Sequence, residues 1–175
     1  MRRYLSWLIL AALLVSGVAC SGKKEVENKG AEAKGGGAKT EWIGFDQAMA
    51  RASAEQRYVI TDYYTSWCKW CKVMDEKTYT DPGVVEAINK NFLAVKIDGE
   101  SSEKLTYQGK EMTQTDLTQL LKVEGFPTTV VMDAQGKVLV QIAGYIDAPN
   151  YLKMLEYITS EAYKTKSYDD HRSGK

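Results

Sequence analysis

The chain has 175 residues, room for one ordinary domain of roughly 100–150 residues plus appended segments, and 44% apolar content is enough for a sizeable core without disulfide staples. Basic and acidic side chains balance at 23 each, which speaks against a surface built to bind phosphate. Nucleic acid is therefore not an expected partner.

Arg2 and Arg3 precede an apolar run from Tyr4 to Val15, closed by the small residues Ser16-Gly17-Val18-Ala19. This reads as an export signal over residues 1–19, too short for a permanent membrane span. Its loss leaves 21 basic against 23 acidic side chains, a formal charge of about −2. Cys20 follows directly and resembles the lipidated cysteine of bacterial lipoproteins. Gly17 stands where such signals usually carry a large aliphatic residue, so plain cleavage after Ala19 is the rival reading. From Gly22 to Thr40 the chain is Lys, Glu, Gly and Ala with almost nothing to bury. Residues 20–40 are expected to form an anchor cysteine and flexible linker, or simply a disordered mature N-terminus.

The folded domain is expected over residues 41–162. Phe45 to Ala54 reads as a helix and Tyr58 to Tyr64, rich in β-branched and aromatic residues, as a strand. A helix is predicted from about Cys68. Asp81-Pro82 starts another, through Val84, Val85 and Ile88 towards Phe92, and Leu93 to Ile97 follows as a strand. Glu100 to Gln108 is polar and reads as a loop. Thr115 to Lys122 reads as a helix stopped by Gly125 and Pro127. Thr128 to Met132 and Lys137 to Ile142 form a predicted hairpin across residues 133–136. Pro149 to Ser160 is an amphipathic helix carrying Tyr151, Leu152, Leu155 and Ile158 on one face. Residues 163–175 read as a polar, mobile tail. Such alternation gives an α/β fold with helices on the faces of a mixed sheet.

Of three cysteines, Cys68 and Cys71 remain once Cys20 is lipidated or removed. Their spacing on the first turn of a helix puts both sulfurs on one face, within reach of a disulfide. Cys68 would stand at the helix N-terminus, where unpaired N–H groups favour a thiolate, and Lys69 adds a neighbouring charge or is merely solvated. The thiolate attacks a substrate disulfide and the second thiol resolves the mixed disulfide. Cys68 is thus the expected exposed nucleophile and Cys71 the more buried resolving thiol. Zinc would need further ligands, and the single histidine, His171, lies in the tail; covalent haem would need histidine where Lys72 stands. No metal or cofactor is expected. An inert structural disulfide is the remaining alternative.

Asp62 six residues before Cys68, the run Trp67-Cys68-Lys69-Trp70-Cys71, and Gly125-Phe126-Pro127-Thr128 opening a later strand resemble the thioredoxin superfamily over about residues 42–160. Tyr79-Thr80-Asp81-Pro82 through Ile97-Asp98 is similar to the C-terminal periplasmic domain of the disulfide interchange reductase DsbD and to related thioredoxin-like lipoproteins. The resemblance implies a thioredoxin-like fold, a cis Pro127 facing the cysteines, and Phe126 offering its backbone to an extended substrate. It implies that Trp67 shields the pair. Trp70 reads as packing surface or as a contact with a partner protein.

Asp62 sits in an apolar strand, so its carboxylate is expected to be partly buried with a raised pKa, a proton acceptor for Cys71. Thioredoxins place a lysine near this carboxylate, whereas Ala94 fills the matching position and Lys96 is the substitute on the same face. The expected activity is extracytoplasmic thiol-disulfide exchange on protein disulfides, fed by a membrane electron donor. A disulfide-forming or isomerising catalyst, or a binding lipoprotein that uses loop 100–110, are the alternatives.

Overall fold

The computed structural model describes residues 39–174. The export signal, Cys20 and most of the linker lie outside the described residues.

The sheet grows from β1 (Tyr58–Tyr64), a strand whose alternation splits its side chains between two cores. Val59 and Tyr63 face α1 (Phe45–Glu55), while Ile60 lies with the residues of α3 (Pro82–Asn91) and α5 (Ala148–Thr159). Asp62 shares the Ile60 side of the strand. β2 (Phe92–Asp98) runs parallel to β1 with Asp62 opposite Lys96. β5 (Thr128–Met132) pairs antiparallel on the other side, with Tyr63 opposite Thr128, and β6 (Val138–Ala143) closes the order β2-β1-β5-β6. This is the expected mixed sheet flanked by helices.

The helix starts follow local side-chain chemistry. Asp81 accepts from the Gly83 and Val84 N–H groups and Pro82 occupies the first helical position of α3. Thr113 and Asp116 form a reciprocal capping box on α4 (Gln114–Leu120). α2 (Lys69–Lys77) is capped by Cys68 itself, whose sulfur accepts the Cys71 N–H at 3.1 Å.

Two expectations need correction. Glu100 to Gln108 is not all loop, because β3 (Lys104–Tyr107) pairs with β4 (Lys110–Thr113). Leu105 and Tyr107, two apart, are buried beneath an otherwise polar run, and Gln108 and Gly109 both take the positive φ of a tight hairpin turn. The tail is not free either. A short 3-10 turn (Ala162–Lys164) and α6 (Tyr168–Ser173) wrap Tyr163, Tyr168 and His171 around Tyr157 of α5, whose hydroxyl donates to the Lys166 carbonyl at 2.7 Å. Three rings against one offset the polarity that makes the segment look mobile.

At the other end, residues 39–43 already dock on the domain. Thr40 donates to the Tyr79 carbonyl, Asn89 donates to the Lys39 carbonyl, and Ile43 N–H donates to Ala94 O at 2.9 Å beside the Trp42–Ala94 bridge.

Candidate functional site

Register alone brings the chemistry-bearing residues to one end of the sheet. β1 ends at Tyr64, level with Asp98 at the end of β2, while Thr128, which follows Pro127, pairs with Tyr63. The segment Thr65–Cys68 leaves that edge and turns into α2, with the Cys68 N–H donating to Thr65 O at 3.2 Å.

Cys68 and Cys71 are joined in a disulfide, Cα atoms 5.4 Å apart. The expected contrast in exposure is absent: Cys68 is 4% exposed and Cys71 2%. The bridge ties the Cys68 sulfur back to the helix head, where it also accepts a backbone N–H, so the oxidised site presents little sulfur to solvent. Lys69 next to it is exposed. The Phe126–Pro127 peptide is cis, as the resemblance implied.

Two aromatic ledges rise beside the bridge. Trp67, 65% exposed, meets Phe126 edge to face at a centroid distance of 6.0 Å, and its indole N–H donates to Glu100 Oε1 at 2.9 Å. Trp70, 57% exposed, lies tilted against Tyr145 at 5.4 Å. Both rings keep more than half of their surface in solvent beside the disulfide.

Gly99 explains why Phe126 can lie where it does. A Cβ at this position would fall inside the van der Waals shell of the Phe126 ring. Gly99→Ala is expected to push that ring away from Trp67, destabilise the domain by about 1–3 kcal/mol and change Trp67 fluorescence. Denaturant melts and emission spectra check this, and an unperturbed spectrum would show that the loop yields instead.

Beneath the aromatic surface Asp62 is 1% exposed. Its Oδ2 accepts from Lys96 Nζ at 2.8 Å, and the same ammonium reaches Asp75 Oδ1 at 2.5 Å; Asp62 Oδ1 is buried with no hydrogen-bond partner among the described residues. Burial pushes the Asp62 pKa up to about 6 against the downward pull of Lys96, and the Asp75 charge adds to the rise. Burial works against the Lys96 charge too, but the two carboxylates outweigh it and raise the lysine above its ordinary value. Lys96 therefore does stand in for the lysine missing at Ala94: a parallel register puts residue 96, not 94, opposite Asp62.

Sequence reasoning missed Glu100, Gly99, Asp75 and Tyr145. Asp75 had a usable signal, since it stands one helical turn beyond Cys71. Glu100 and Tyr145 meet the tryptophans only through the tertiary fold.

Residues 45–159 match the thioredoxin-like domain family, and the chain belongs to it. It is 26% identical over 119 residues to the thiol:disulfide interchange protein DsbD of Photorhabdus laumondii, a match covering 67% of this chain but 19% of that protein. The chain thus spans about a fifth of that relative's length. A thioredoxin-fold protein from Helicobacter pylori superposes with a TM-score of 0.58 at 21% identity, covering 69% of this chain and 80% of its own. The oxidised C-terminal domain of Neisseria meningitidis DsbD gives 0.51 at 21% identity, covering 66% and 97%. The chain is a thioredoxin-like domain carrying a C-x-x-C disulfide and distantly related to DsbD.

Proposed function

We propose that this protein is an extracytoplasmic thiol-disulfide oxidoreductase that reduces protein disulfides or relays electrons through Cys68 and Cys71. The observation that carries the reading is the Cys68 sulfur at the N-terminus of α2, accepting the Cys71 N–H while bonded to the Cys71 sulfur. The same N–H and the helix dipole would stabilise a Cys68 thiolate once the bridge is opened.

In the reducing direction the Cys68 thiolate attacks one sulfur of a substrate disulfide and displaces the other as a thiolate. Asp62 takes the proton of the Cys71 thiol, and the Cys71 sulfur attacks Cys68, releasing the second substrate thiolate. The substrate gains two electrons and the bridge seen here is the product. A dithiol on a membrane partner reverses the state by the same exchange. Pro127 and the Phe126 backbone align an extended substrate, and Trp67, Trp70 and Lys69 contact it.

Residues 1–19 serve as export signal and Cys20, lipidated, anchors the protein on the periplasmic side of a bacterial membrane, with residues 20–40 as tether. Relatedness to a disulfide interchange protein supports the periplasmic location.

The deciding measurement is the reduction potential of the Cys68–Cys71 pair. A value near about −270 mV is expected for a reductase, whereas one towards about −120 mV would convert the reading to a disulfide-forming catalyst. A pair that never equilibrates with redox buffer would leave a structural bridge and a binding protein.

A further inference from the structure

Lys96 is boxed as well as paired. Its Nζ lies 4.8 Å from the centroid of the Trp42 ring, 5.2 Å from Tyr64 and 5.3 Å from Tyr79, with Asp62 and Asp75 completing the enclosure. Tyr64 belongs to β1 and Tyr79 follows α2, so both come with the sheet and the helix. Trp42 arrives separately, on the segment 39–43 that bridges in parallel to the β2 edge, and stands edge-on to Tyr79 at 4.9 Å. Beyond this ring the lysine borders an open cleft of about 530 Å³ lined by Lys39, Thr40, Asp75 and Tyr79. Removing the ring would open Lys96 further to water, where an ammonium has little reason to stay on a buried carboxylate.

We propose that Trp42 is a positioning residue for the exchange site: its ring, brought in by the segment 39–43, holds the Lys96 ammonium against buried Asp62. The role in catalysis rests on the reading of Asp62 as proton acceptor; the electrostatic part stands on geometry alone. The groups that face Asp62 are Lys96 from β2, Asp75 from α2, Tyr79 after α2, Tyr151 from α5 and Tyr64 on its own strand. Burial raises the pKa of each of these tyrosines, so Lys96 and Asp75 supply the charge. Asp75 already draws the ammonium outwards, and the aromatic wall is what keeps it shared.

The test titrates the Asp62 carboxyl by carbon NMR in the oxidised full chain. Trp42→Leu keeps apolar packing but removes the π face, and is expected to move the midpoint upward by about half a pH unit or more. Trp42→Phe, the conservative change, should recover most of that shift, and Trp42→Met, which also lacks a π face, serves if the leucine variant does not fold. In a Lys96→Met background Trp42→Leu should add nothing, because the ring acts through the lysine. An unmoved midpoint in Trp42→Leu, or an equal shift with and without Lys96, overturns the proposal. Wild-type protein that titrates as expected but exchanges no disulfides would sink the exchange reading while leaving the positioning of Lys96 intact.

Discussion

Cys68→Ser is expected to abolish disulfide exchange, lowering the rate by at least about 10³-fold, because a serine hydroxyl neither ionises at neutral pH nor attacks sulfur. Cys71→Ala should act differently. Cys68 can still attack, but with no thiol at position 71 the mixed disulfide has no internal route to resolution. Partners should therefore accumulate as covalent adducts that a reductant releases, visible as mass shifts on non-reducing gels. The two variants separate the classes of function proposed above. A binding protein with an inert bridge would keep its partner in Cys68→Ser and trap nothing in Cys71→Ala. Since a disulfide across two intervening residues closes a very short loop, its loss should cost less stability than a bridge across a long loop, so lost activity would not be a folding artefact.

Much of the site was legible because the relevant signals are local. The C-x-x-C spacing places two sulfurs on one turn, and Asp81-Pro82 announces a helix start through side-chain chemistry that acts within three residues. Asp62 stood out as one carboxylate in an apolar strand, and burial followed from its neighbours. What stayed hidden depends on contacts between distant segments. The β3–β4 hairpin is short and mostly polar, and only Leu105 and Tyr107 betray its buried face. The tail carries polar residues around three rings that find Tyr157 only in the folded state. The exposure expected of Cys68 is not found in the oxidised site, where its sulfur is bonded to that of Cys71 and accepts the Cys71 N–H at the head of α2. The box around Lys96 draws on four separated stretches, 42, 62–64, 75–79 and 96, which no pattern along the chain links.

Asp62→Asn is expected to make the protein more stable and less active at once. Burial pushes the folded-state pKa up to about 6, from an ordinary value of 3.8. Below about pH 4 the group is protonated in folded and unfolded chains alike and its ionisation costs nothing. Between about pH 4 and 6 the unfolded chain has released the proton while the folded one retains it, so stability falls as pH rises through this window. Above about pH 6 the charged carboxylate is buried and the whole cost, about 3 kcal/mol for a shift of about two units, is in force. Asparagine removes the charge, so its gain should grow across that window and level off near neutrality. Exchange should move the other way. Without a carboxylate to take the Cys71 proton, the rate near pH 7–8 should drop by about 10²-fold, and the wild-type rise in rate centred near pH 6 should disappear. Denaturant melts at pH 4 and pH 8, together with a pH–rate profile, read both effects on the same protein. A variant that gained stability but kept its rate would confine Asp62 to the electrostatics of the core; one that lost both would mean that the charge supports the fold. The combination of a stabilised domain and a slowed reaction is what a buried base kept for chemistry should produce.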